Sequence, residues 1–158
     1  MTAEVVEVRE WTGVYEELLS LADRLGQARY IPAREDHIEE SVLLGAFVEG
    51  RCVGFLRFMV QIIGSDEGRP PIFDAGRPLT EGFVEAFGVD AEYRRRGVGK
   101  SMQEWAIEFC EGRGCYQMRS RSPVSSRENY ALKISMGYAI HPSGENDSYY
   151  FVRTLKRV

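Results

Sequence analysis

The chain is poor in the residues that most often announce a function. It holds three cysteines, Cys52, Cys110 and Cys115, and two histidines, His37 and His141. The cysteine number is odd and the spacing follows no ligand pattern, so neither a disulfide framework nor a cysteine metal site is expected, and reduced thiols in a cytoplasmic protein are. Two histidines cannot build a His-rich centre, and no metal is expected. No apolar run approaches the roughly 18 residues of a membrane span, so no membrane partner is expected. Met1-Thr2-Ala3-Glu4 lacks the basic and apolar regions of a signal peptide. A basic excess is missing too: 20 Lys and Arg stand against 24 Asp and Glu, a net charge of −4, with a sequence pI of about 5.3. Proteins that grip nucleic acid through its phosphates usually carry a basic surface, so no nucleic-acid partner is expected. With no repeat, low-complexity tract or linker, residues 1–158 read as one domain with a sizeable core.

What is present is a regular alternation of strand and helix signals. Val5–Val8 reads as a first strand. Val14, Leu18, Leu21, Ala22 and Leu25 recur at helical spacing, with Gly26 as a stop. Residues 34–41 read as a short second helix. Val42–Val48 and Cys52–Ile63 form a hairpin turning at Glu49-Gly50-Arg51, and residues 64–78 are a loop rich in Gly and Pro. A central strand, Gly82–Val89, leads through a turn into a helix ending near Gly112 or Gly114. Tyr116–Ser120 is a strand, a helix opens after Pro123 and closes at Gly137, and Tyr149–Leu155 is the last strand. The order predicts a mixed α/β fold, antiparallel in the hairpin and parallel across the crossover around helix 98–111.

The turn Arg94-Arg95-Arg96-Gly97-Val98-Gly99-Lys100-Ser101 carries the clearest chemistry. It joins an apolar strand to a helix start, where the first N–H groups lack intrahelical partners and the helix dipole is positive. Glycine lets an anion reach the backbone, and the basic side chains add charge-assisted contacts. The run predicts a diphosphate site. Its end, Gly-Lys-Ser, is that of a P-loop, but the first glycine of that pattern falls on Arg94.

Val89-Asp90-Ala91-Glu92-Tyr93-Arg94-Arg95-Arg96-Gly97-Val98-Gly99 resembles the acetyl-CoA signature of the GNAT N-acetyltransferase superfamily, Arg/Gln-x-x-Gly-x-Gly/Ala preceded by Val-x-Pro-x-Tyr. Ala91 replaces the proline. The helix from Asn129 to Gly137-Tyr138 resembles the family's later Asn-bearing helix. The resemblance implies a central, mixed, mostly antiparallel sheet of about six to seven strands with about four helices. It implies that backbone N–H groups from Arg95 to Ser101 hold the diphosphate of acetyl-CoA, with Arg94 beside them. It also implies that Phe87 and Val89 pair with the pantetheine arm, that Val89 N–H serves the oxyanion, and that Asn129 touches the cofactor.

An alkylamine acceptor has a pKa of about 10.4, so attack on a thioester needs a general base. Glu85 is the candidate; period-two alternation puts it on the face of Phe87 and Val89. Its other reading is a carboxylate paired with Arg57 or Arg119. Glu81 and Glu92, near the strand ends, read as solvated. The family often has a tyrosine proton donor on the late helix; here Lys133 takes that position, either as a donor on the face of Asn129 or as a solvated lysine. Glu35, Asp36, Glu39 and Glu40 form an acidic patch that suits a cationic acceptor or is a solvated face. Tyr149-Tyr150-Phe151 reads as sheet and core or as a homodimer contact. The expectation is an acetyl-CoA-dependent N-acetyltransferase acting on a primary amine of a small molecule or peptide. A CoA-binding sensor and a nucleotide-binding protein are the alternatives.

Overall fold

Two long apolar runs make the centre of the sheet. In the computed structural model, which describes residues 5–11, 16–32 and 38–156, β2 (Ile38–Val48) and β3 (Arg51–Ile62) pair antiparallel. Their turn, Glu49-Gly50, has φ of 50° and 79°, the left-handed pair that a two-residue hairpin turn requires. β3 is buried almost end to end, because helices cover both faces of the sheet; that is why the run is continuously apolar rather than alternating.

β1 (Val6–Glu10) adds to the outer edge of β2. On the other side of β3 lies β6 (Thr80–Val89), antiparallel to it, and then β7 (Gln117–Pro123), parallel to β6. β9 (Ser148–Thr154) and β8 (Ala139–Pro142) complete a seven-stranded sheet of order β1-β2-β3-β6-β7-β9-β8. The loop before β6 carries a separate two-residue hairpin, β4 (Phe73–Asp74) with β5 (Arg77–Pro78).

Among the described residues there are three α-helices: α1 (Glu16–Arg24), α2 (Val98–Gly112) and α3 (Arg127–Ser135). About four helices were expected. The difference lies at 34–41, where residues 33–37 are outside the described residues and Ile38 already belongs to β2, paired with Gln61. Ladder bonds to β3 outweigh the weak helical pattern of so short a segment. The remaining helix-like pieces are single 3-10 turns at Ala28–Tyr30, Ser65–Glu67 and Ala91–Tyr93.

α1 covers one face of the sheet with Leu18, Leu21 and Ala22, packed on Leu43, Phe47 and Phe55. α2 covers the other with Val98, Met102, Ala106 and Cys110, on Leu56, Phe58, Val84 and Met118. Each fully buried aliphatic side chain contributes about 1.5–3 kcal/mol relative to exposure. A Cβ on Gly54 would lie 2.8 Å from Met102 Cε, and one on Gly82 2.5 Å from Cys110 Sγ, so these glycines let α2 sit close to the sheet. None of these helices is long and apolar enough to cross a membrane.

Candidate active site

β6 and β7 are paired only from Glu81–Gln117 to Val84–Ser120. Beyond that point both strands continue but diverge, β6 to Val89 and β7 to Pro123. The Asp90 N–H bonds to Val53 O on β3, so by strand alternation the main-chain groups of Phe87 and Val89 face the gap. A cleft of about 850 Å³ opens there, floored by these residues and walled by the start of α2 and by α3.

The turn after β6 lies along that cleft. Asp90 Oδ1 accepts the Glu92 N–H at 3.1 Å, holding the 3-10 turn Ala91–Tyr93. Arg95 (φ 64°) and Gly97 (φ 81°) then take left-handed conformations, and Gly97 is the N-cap of α2. Left-handed positions just before a helix start are where successive N–H groups can make an anion-binding concavity, and here they stand at the positive end of a 15-residue helix.

The basic residues of the turn divide. Arg94, Arg95 and Lys100 line the cleft, as do Gly97, Val98 and Gly99. Arg94 also reaches Glu128 on α3 at 3.5 Å, and Lys100 reaches Glu104 at 3.8 Å. Arg96 instead lies 5.1 Å over the Tyr93 ring and Ser101 Oγ donates to Gly97 O at 2.8 Å; neither lines the cleft. Val98 is buried as a whole residue, and its side chain packs in the core. Gly99 serves packing more directly than anion approach: a Cβ there would lie 2.9 Å from the Phe87 ring and 3.3 Å from Leu132. Asn129 lines the opposite wall, its amide donating to Ser122 Oγ at 2.7 Å.

Glu85 is half-buried on β6 and is not among the residues lining the cleft, and strict alternation does not settle its face. The β3–β6 register steps from Arg57–Ala86 to Phe58–Val84, which makes Glu85 the extra residue of a β-bulge. Gly82 and Val84 point toward α2, as do Phe87 and Val89, whereas Ala86 and Gly88 point toward α1. The bulge reverses the alternation between Val84 and Ala86, so a period of two no longer assigns Glu85 to the face of Phe87 and Val89.

Glu81, expected in solvent, and Lys133, expected as a proton donor or in solvent, are both buried. Glu81 is 0% exposed; its Oε1 accepts from Gln117 (2.9 Å) and Arg119 (3.1 Å), and its Oε2 from Gln61 (2.9 Å) and Arg119 (2.9 Å). Arg119 therefore belongs to Glu81, and to Asp66 at 2.9 Å. Lys133 is 1% exposed, packed under α2 where Nζ donates to Gln103 Oε1 at 3.2 Å and lies 4.4 Å from the Tyr138 ring centre. Loss of water lowers its pKa to about 7. It is not among the residues lining the cleft.

Of the expected acidic patch, Glu35 and Asp36 lie outside the described residues, as does His37, and Glu40 is held by Arg113 at 2.8 and 3.0 Å. That guanidinium lowers the Glu40 pKa by hydrogen bonding. Among the described residues no cluster of His, Cys, Asp or Glu could hold a metal ion. No motif points to Gln27, which lines the cleft and bonds to both main-chain groups of Phe87, 60 residues away.

The fold has many counterparts among solved structures. NAA60 of Arabidopsis thaliana, crystallised with a bisubstrate analogue, is 16% identical with a TM-score of 0.67, the match covering 98% of this chain and 100% of that one. A GNAT-family acetyltransferase of Staphylococcus aureus Mu50 is 14% identical with a TM-score of 0.71, covering 96% and 100%. The GNAT domain of S. lividans PAT is 18% identical with a TM-score of 0.65, covering 97% and 96%. No curated protein matches the chain in sequence. At such identities the structures establish the fold alone. The sequence model of the acetyltransferase (GNAT) family, however, matches residues 7–125, a span that takes in the strand, the splayed edge and the Gly-rich turn described above. On that match and that architecture, the chain belongs to the acetyltransferase (GNAT) family.

Proposed function

We propose that residues 1–158 form one catalytic domain that transfers the acetyl group of acetyl-CoA to a primary amine of a small molecule or peptide, directly and with both substrates bound. The observation that carries this reading is the divergence of β6 from β7 beside the N-terminus of α2. The gap offers strand-edge N–H and C=O groups suited to an arm of amides, and the turn offers N–H groups suited to a diphosphate. The Arabidopsis NAA60 fold neighbour has been crystallised with acetyl-CoA and with a bisubstrate analogue, which supports the same use of this cleft.

In this reading the main-chain N–H groups of residues 95–100 bind the diphosphate, and Arg94 and Arg95 add charge. Val89 N–H donates to the thioester oxygen as negative charge develops on it. Glu85, or a water it holds, takes the proton from the attacking amine. The nitrogen lone pair forms the C–N bond, the C–S bond breaks, and the thiolate leaves and is protonated from solvent. Asn129 steadies the arm from the α3 side. A second reading, a CoA-binding sensor without turnover, is favoured by one observation: Lys133, at the position expected to hold a proton donor, is packed against Gln103 and Tyr138.

Calorimetric titration with acetyl-CoA, followed by a thiol-release screen over amines, amino acids, polyamines and peptides, tests the proposal. Saturable binding with thiol release on at least one amine is expected. Binding without release in single-turnover assays across the panel supports the sensor, and tighter binding of Mg-ATP than of CoA overturns both.

A further inference from the structure

We infer that Gln27 is a placeholder for the cofactor's arm: its carboxamide occupies the β6 edge at Phe87 and yields it when the pantetheine amides of acyl-CoA arrive. The inference rests on the acetyl-CoA reading above.

Gln27 follows the end of α1. Gly26, at φ 72°, turns the chain; the Gln27 N–H bonds back to Ala22 O at 2.8 Å, and its carbonyl accepts the Tyr30 N–H at 3.0 Å. The Gln27 main chain is thus anchored, and only its side chain is free to move. That side chain crosses to β6, where Nε2 donates to Phe87 O at 2.9 Å and Oε1 accepts the Phe87 N–H at 3.0 Å.

Both Phe87 groups lie past the last β6–β7 pair, Val84–Ser120. A neighbouring strand would satisfy them with a main-chain amide. Among the described residues no strand reaches them, and a half-buried N–H and C=O left unpaired would cost free energy. The glutamine carboxamide supplies one donor and one acceptor, the same pair that a strand, or an amide-bearing arm, would present. Gln27 itself lines the cleft, so an arm laid along β6 as a further strand must take its place.

The exchange is amide for amide. Hydrogen bonds to Phe87 are conserved, and the loss falls on Gln27, whose carboxamide must find water. The fraction of molecules with Gln27 withdrawn scales the apparent affinity for any ligand that carries the arm, and leaves a ligand without the arm unaffected. Gln27 is therefore a positioning residue: it keeps the edge extended and dry before the cofactor enters, at the expense of affinity.

The test compares CoA with 3′-phosphoadenosine 5′-diphosphate, which keeps the phosphates and lacks the arm. In calorimetry, Gln27→Ala and Gln27→Met should each bind CoA about five- to tenfold more tightly than wild type, the worth of the displaced bonds. Their affinity for the armless ligand should not change. In the wild-type protein, adding CoA should move the Gln27 side-chain NH₂ signals in NMR to solvent-exposed positions, a readout that needs no variant. Unchanged or weaker CoA binding in both variants, or Gln27 NH₂ signals unmoved in the CoA complex, overturns the placeholder while leaving the acetyl-CoA reading intact. Wild-type protein that binds neither ligand overturns the acetyl-CoA reading, and the placeholder with it.

Discussion

The two halves of β6 are treated in opposite ways. From Thr80 to Val84 the strand is closed on both sides, by β3 and by β7. Its buried carboxylate, Glu81, has both oxygens doubly hydrogen-bonded. From Phe87 to Val89 one side of the same strand meets a cleft, and the Phe87 main-chain groups on that side are bonded by one side chain from a distant segment. A bulge at Glu85 separates the halves. The first half is saturated, so it can hold charge in the core. The second has main-chain groups that β7 does not pair and that a side chain holds instead, an arrangement that a ligand mimicking a strand could replace. The closed half makes the open half possible, because it fixes where β7 departs.

The largest effect should come from breaking the closed half. Glu81→Leu leaves the Arg119 guanidinium, which also lies over the Phe83 and Tyr150 rings at 4.5 and 5.0 Å, buried without its main carboxylate. Removing one partner of such a pair costs about 3–5 kcal/mol. Urea unfolding should show the midpoint falling accordingly; a midpoint unchanged within error would mean that Asp66 alone suffices for Arg119.

Next in size is a test at the junction. Glu85→Gln keeps the bulge and removes the base. Turnover should fall by about 10²–10⁴-fold while acetyl-CoA binding is retained, and the loss should shrink as pH is raised and more of the amine is already neutral. A variant as active as wild type at every pH removes Glu85 from the reaction and reduces it to a residue of the strand.

How far these regions could be read beforehand differs. The Arg/Gly turn was legible because its chemistry is local: a strand, left-handed positions and a helix start follow one another in sequence. The β2–β3 hairpin was legible for the same reason. The face of Glu85 was not, since a bulge is set by register with β3 and alternation assumes none. The burial of Glu81 and Lys133 was not legible because their partners, Arg119, Gln61, Gln117 and Gln103, come from other elements. β8 escaped notice because Ala139–Pro142 is a short, exposed edge strand. Gln27 is the extreme case: only the tertiary fold brings it to Phe87.

Lys133 sharpens the contrast from the far side of α2. Glu81 is buried with full compensation, Lys133 with one amide oxygen and an aromatic face. Its pKa is lowered from 10.5 to about 7. Below pH 7 both folded and unfolded chains carry the proton, and the penalty of burial is present in full. Between about 7 and 10.5 the unfolded chain binds more protons, so stability should rise with pH, at up to about 1.4 kcal/mol per unit. Above that window nothing more is gained. Denaturant unfolding across pH 7–10 should show this slope in the wild type and lose it in Lys133→Met; an equal slope in both would place the titration elsewhere.

The smallest expected effect probes the open half without touching its core. Arg95 is exposed, stands at φ 64° and lines the cleft. In Arg95→Glu a negative charge replaces a positive one beside the diphosphate turn, and the backbone strain at that position is already present in the wild type. CoA affinity should fall about tenfold, with little change in the unfolding midpoint. The affinity of 3′-phosphoadenosine 5′-diphosphate should fall by the same factor, because the contact is to phosphate. This is the converse of Gln27, whose replacement acts on the arm alone. If Arg95→Glu weakens CoA and spares the armless ligand, then the turn and the strand edge are not separate subsites, and the division of β6 into a closed half and a ligand-binding half must be redrawn around the arm.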